Sequence, residues 1–206
     1  MSQEEDVDKA RMELRDAREA NDWNRYESIC RDALAKVSED DSTSLYAFSF
    51  NLAVGLVSNE DSDDRANNIE EAIDIYNKIL KRLSFTEDKN RWASIQRDLG
   101  YAYSERLVGD KITNINEAIK HYEKALQVFT ADSNLEDWIL TKRLLAELFA
   151  EKMDTSAINN LVTAIKLCEE VLGRCDDEST HEHQIEIQEM IEEFRKKLNF
   201  LKDRLK

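Results

Sequence analysis

Four polar residues at one fixed interval constrain this chain more than anything else in it: Asp22, Asn68, Asn114 and Asn160 are each 46 positions apart, and the same kind of apolar stripe follows each one. Asn or Asp can accept a hydrogen bond from an orphan amide in a first helical turn, and an acid three residues on can complete a capping box, as in Asn68 with Glu71 and Asn114 with Glu117. Behind the caps, Ile69, Ile73, Tyr76 and Leu80 share one helical face, as do Ile115, Ile119, Tyr122 and Leu126. Ala72 and Ala118 recur where a close helix crossing would exclude anything larger. A period of this length is the signature of a helical repeat, because one such helix cannot bury its stripe alone.

The other half of the unit repeats at the same interval. Trp92, Ile95, Leu99, Ala102 and Tyr103 return as Trp138, Thr141, Leu145, Leu148 and Phe149, with fainter copies at Gln184, Ile187, Ile191 and Phe194 and, after a one-residue shift, at residues 46–52. Repetition of the two tryptophans argues for packing, since a core contact recurs in every unit whereas a site is built once. Ser133 with Glu136 and Ser179 with Glu182 read as further capping boxes. The pattern predicts nine helices, at about 5–20, 22–37, 43–58, 67–83, 87–107, 113–130, 135–152, 158–173 and 179–204, paired antiparallel through short connections. Residues 1–5 are expected to fray, and the acidic run Ser58–Asp64 is expected to be the longest connection, solvated and, like Asp176–Glu178, accessible to proteolysis.

Composition agrees with this reading. Proline is absent and there are only four glycines, so helix breakers are scarce. The formal charge of −15 opposes binding to nucleic acid or to an anionic membrane. The longest apolar run, Leu52–Val57, is far short of a span, and the first ten residues are polar and acidic, unlike a signal peptide. Three cysteines cannot all pair, which suits a reducing cytoplasm, with Cys30 and Cys168 on apolar stripes as buried thiols.

WASIQRDLGYAYSERLVGD followed by NINEAIKHYEKAL resembles a tetratricopeptide repeat (TPR). Leu99, Gly100 and Tyr103 match the Leu-Gly and Tyr positions of that family's first helix, and Ala118, Tyr122 and Ala125 match the Ala, aromatic and Ala positions of its second. The unit exceeds the 34-residue standard and lacks its terminal proline. Asp64, Arg65, Asn68, Ile69, Glu70, Ala72 and Ile73 resemble the core of a long bacterial variety that accompanies caspase-like CHAT peptidases, some of them linked to CRISPR defence.

The resemblance implies an all-α, right-handed TPR-like solenoid of antiparallel helix pairs over residues 1–206 as a single domain, with repeat second helices near 22–37, 67–83, 113–130 and 158–173 and a long capping helix at 179–204. It also implies a non-enzymatic protein-interaction module: an adaptor, regulator or substrate working with a caspase-like protease in bacterial antiviral defence. The alternative is a sensor of a peptide or small-molecule signal using the same concave groove. In such arrays the first helices line that groove, which places Phe50, Val54, Arg97, Tyr101, Ser104, Arg143, Glu147 and Ala150 there for a protein or peptide ligand. Arg97 and Arg143, equivalent in adjacent units, would offer donor forks to a carboxylate, unless Asp98 or Glu147 already occupies them.

Catalytic and metal signals are weak, and no cofactor, metal or catalytic residue is expected. His181 and His183, at i and i+2, diverge around a helix instead of sharing a zinc ion. His121 is expected to be exposed, and Cys168 has no basic partner at helical spacing. The last helix carries a seam, Ile187, Ile191, Phe194, Leu198, Leu201 and Leu205, read either as a cap or as a coiled-coil surface for a second contact. Its final turns, Arg195–Lys206, hold six bases and one acid, which suit the helix C-terminal dipole or the protein's own acidic face.

Overall fold

A computed structural model describes residues 3–83, 85–86, 88–175 and 180–204. Among these the chain is all-α, with α1 (Gln3–Glu19), α2 (Trp23–Leu34), α3 (Ser42–Ser58), α4 (Arg65–Arg82), α5 (Lys89–Ser104), α6 (Lys111–Ala125), α7 (Leu135–Glu151), α8 (Ala157–Leu172) and α9 (His181–Asp203). They coincide with the nine predicted segments to within a few residues at most ends. The Ser179–Glu182 box, the Asp176–Glu178 segment, Leu205 and the extreme terminal residues lie outside the described residues.

Two compact units result, one of α1–α4 with the segment Glu105–Val108, the other of α5–α9. Within each, a helix packs mainly on its neighbour in sequence; in the second, α5 also touches α7, and α7 touches α9. This is how amphipathic pairs with short connections bury their stripes.

Three of the four predicted caps are corrected. Asp22 does cap α2, accepting from the Arg25 amide at 3.0 Å. However, α4, α6 and α8 start three residues before Asn68, Asn114 and Asn160, behind Asp64, Asp110 and Ser156, a second polar series with the same 46-residue spacing. The asparagines thus sit one turn inside their helices, and Asn68 and Asn160 reach back to the preceding loop. Asn68 Nδ2 donates to Ser62 Oγ at 3.0 Å, and Asn160 Nδ2 donates to the Lys152 carbonyl at 2.9 Å and to Asp154 Oδ1 at 3.0 Å. The acids assigned to the capping boxes are used elsewhere: Glu71 pairs with Arg31, Glu117 with Lys120, and Glu136 with His183. Helix α7 begins behind Asn134 rather than Ser133.

The longest connection is also corrected. Helix α6 ends at Ala125, so residues 126–134 form a longer link than residues 59–64. Val128 and Phe129 prolong the apolar stripe in sequence, but they belong to a turn that drives Phe129, 1% exposed, among Ala93, Ala125, Trp92 and Trp138. Both tryptophans are half-buried packing residues around that one ring, as their repetition predicts.

Repeat positions carry matched side chains in each core. Cys30, Tyr76, Tyr122 and Cys168, spaced by 46, are all buried, as are Ala72, Ala118 and Ala164. Gly100 faces Tyr122 so closely that an added Cβ would stand 2.8 Å from its ring. One repeat later the same two positions hold Ala146 and Cys168, a larger residue against a smaller one. Tyr26 takes the place of the repeat alanine, and Gly55 on α3 makes room for it.

Ion pairs repeat as well. Arg65, first in α4, holds Glu105 at 2.7 Å, and 46 residues on Lys111, first in α6, holds Glu151 at 2.5 Å. The seam of α9 is covered within its own unit: Ile187, Ile191, Phe194 and Leu198 are buried and Leu201 packs against the same cluster, which is the capping arrangement. No helix of the described residues is long and apolar enough to cross a membrane.

Candidate functional site

The expected binding residues divide between the two units. In the first, α3 presents Phe50 and Val54, both half-buried. Phe50 stacks on Tyr46 and meets Tyr76 edge-on, each at 6.1 Å between ring centroids. Its ring is therefore largely engaged in packing.

In the second unit, α5, α7 and α9 build a charged wall. Arg97 on α5 donates from Nε to Asp98 Oδ1 at 3.3 Å and from Nη1 to Asp137 on α7. Arg143 on α7 donates from Nη1 to Glu186 on α9, while its Nε is buried without an acceptor. The acid proposed for Arg97, Asp98, is one of its partners; Arg143 bonds to Glu186 and not to Glu147. Sequence spacing could not find Asp137 and Glu186, because 40 and 43 residues separate these partners from their arginines. The two guanidinium groups are thus used as struts between helices.

Four carboxylates, Asp98, Asp137, Glu147 and Glu186, surround these two arginines, so the wall carries surplus negative charge. Desolvation raises the Asp98 pKa above the usual carboxylate value despite Arg97, and Asp137 adds to the rise. Glu147 reaches solvent, yet desolvation raises it too, with Arg143 opposing and Glu186 reinforcing. Tyr101 on α5 is half-buried, and its carbonyl accepts from Ser104 Oγ at 2.7 Å. Ala150 is only 5% exposed and belongs to the core, so its side chain offers no groove surface.

The remaining polar candidates have structural partners. His121 is corrected from exposed to half-buried: it stacks on Tyr103 at 5.4 Å between ring centroids, and its Nδ1 lies 2.6 Å from Gln96 Oε1. Desolvation lowers its pKa to about 4. His183 Nε2 lies 2.9 Å from Glu136, and His181 is exposed. Cys30 and Cys168 are buried, and desolvation pushes each thiol up to about 12, so neither supplies a thiolate near neutrality. Among the described residues no group of three or more His, Cys, Asp or Glu side chains is placed to hold a metal ion. Arg195 of the basic final turns pairs with Glu169 at 2.9 Å, an instance of attraction to the protein's own acidic surface.

Comparison of the sequence with models of known protein families and with curated proteins finds no match in either.

Proposed function

We propose that the chain is a non-enzymatic protein-interaction module whose units are right-handed stacks of TPR-like antiparallel helix pairs, and that the α5–α7–α9 face takes a basic segment of a partner protein. The charge balance of that face carries the reading. Both arginines are already bonded to carboxylates, Arg97 to Asp98 as well as to Asp137, so what remains for a ligand is the net surplus of acid, exposed at Glu147 and shared with Arg97 at Asp98. An arriving Lys or Arg would relieve carboxylates that desolvation disfavours, and Tyr101 would supply an aromatic contact beside them. The acidic ligand expected from Arg97 and Arg143 fits this arrangement less well, since it would have to displace internal partners. Preformed helices keep the ordering cost of binding low. The TPR resemblance supports a partner among caspase-like proteases of bacterial defence, with this chain acting as adaptor, regulator or substrate in the cytoplasm. For a substrate role, the exposed Glu60, Asp61 and Asp63 offer an accessible segment.

Two peptides of equal length and apolar content, one Lys/Arg-rich and one Asp/Glu-rich, test this by fluorescence anisotropy. The basic peptide is expected to bind, and Glu147→Gln with Asp98→Asn to weaken it about tenfold, roughly the 1.4 kcal/mol of one lost charge-assisted contact. Glu60→Gln with Asp61→Asn, removing equal charge from the 59–64 loop, should change it far less. Preference for the acidic peptide, or equal loss in both variants, overturns the proposal.

A further inference from the structure

In the second unit, Phe129 closes the space beside the first turns of α5 and the end of α6, with Trp92 and Trp138 packed against it. Two repeats earlier its position is held by Val37, and α1 has no aromatic residue at all. What remains there is a cleft of about 360 Å³ between the first half of α1 and the second half of α2. Val7, Ala10, Ile29, Ala33 and Val37 give it an apolar lining, and Asp6, Glu13 and Asp32 outnumber Lys9 and Lys36 among its charges. The repeat therefore leaves an aromatic-sized vacancy with an acidic edge.

The complementary shape lies on α9. Its seam is already buried, but Phe200 is 61% exposed and lies beneath the Arg204 guanidinium at 5.2 Å. Residues 195–204 around it carry five bases and one acid, in a chain whose net charge is −15. No comparable basic run occurs earlier in the sequence.

We infer that the chain associates head to tail, the Phe200 face of α9 from one copy seating in the α1–α2 cleft of a second copy. An aromatic anchor in an apolar pocket supplies the contact, and the basic turns against the acidic edge supply direction and salt dependence. The two surfaces are different patches, so the contact is heterologous and each copy can add another.

Sedimentation velocity of the full chain, from about 10 µM to 1 mM at low salt, covers the range of such a modest contact. The wild type is expected to grow with concentration beyond a dimer, and added salt to reverse this. Phe200→Glu and Val37→Glu should each remain monomeric alone. Mixed in equal amounts they should form a 1:1 dimer and nothing larger, since one keeps the cleft and the other keeps the aromatic. Circular dichroism checks that each variant is folded; Asp32→Lys, at an exposed edge position, is the second cleft variant and should behave as Val37→Glu does. A wild type that stays monomeric throughout, variants that associate like wild type, or a mixture that stays as two monomers overturns the inference.

Discussion

Gly100 and Tyr122 put the repeat in its smallest form, one residue made small because its neighbour is large. An added Cβ would lie 2.8 Å from the Tyr122 ring. Gly100→Ala is therefore expected to cost about 1–3 kcal/mol, the range for overpacking. In a Tyr122→Cys background, which reproduces the Ala146/Cys168 combination, the same change should cost at least about 1 kcal/mol less. Urea unfolding of the four proteins in that double-mutant cycle measures the difference. His121 makes a second prediction at this scale. Its folded pKa of about 4 lies below the usual histidine value of 6.5, so the unfolded chain takes up a proton that the folded chain refuses. The resulting loss of stability begins as pH falls through about 6.5 and is complete near 4. Because His121 is partly solvated, the loss should be about 1–3 kcal/mol, less than the full shift would give. His121→Gln should flatten that part of the stability curve, measured by urea titration between pH 7 and pH 4; an unchanged slope would show that the ring is not held neutral.

At the scale of helices, the asparagines one turn inside α4 and α8 tie each helix to the loop before it. Asn160→Ala leaves the Lys152 carbonyl without this donor and should cost about 1–2 kcal/mol, with Asn68→Ala costing a similar amount, seen as matched falls in thermal midpoint. If they acted as N-caps the helices would lose their first turn as well, and hydrogen exchange at residues 65–68 and 157–160 would rise; the tie predicts faster exchange in the loops only. The existence and order of the helices were legible in the sequence because periodicity and the lack of proline leave little else for the chain to form. The starts of α4, α6 and α8 differ from expectation because residues suited to capping recur at both candidate positions, Asp64, Asp110 and Ser156 as well as the three asparagines, and sequence does not show which of them is taken up by the loop before the helix. The expected end of α6 overruns the observed one because an apolar stripe does not distinguish a helix turn from the turn that buries Phe129.

On the scale of the whole chain, the charged wall shows where sequence reading stopped. Arg97 and Arg143 stand at equivalent repeat positions, but their use depends on Asp137 and Glu186, tertiary partners on the next helices that no local spacing reveals. The seam of α9 alone fits a cap or a coiled-coil surface, and only its burial within its own unit separates the two; the cleft beside α1 likewise emerges only with the space left by Val37. The central claim is that residues 46 apart do the same packing work. It is tested most directly by removing one repeat in register: deleting residues 111–156 joins Asp110, the residue before α6, directly to Ala157, the first residue of α8, and should put Cys168 where Tyr122 faced Gly100. Circular dichroism and urea unfolding should then show a helical protein with a cooperative transition, whereas deleting residues 119–158, which joins Ala118 inside α6 to Asn159 inside α8 six residues out of register, should abolish it. Loss of cooperative folding in the in-register deletion, or equal behaviour of the two, would contradict the account.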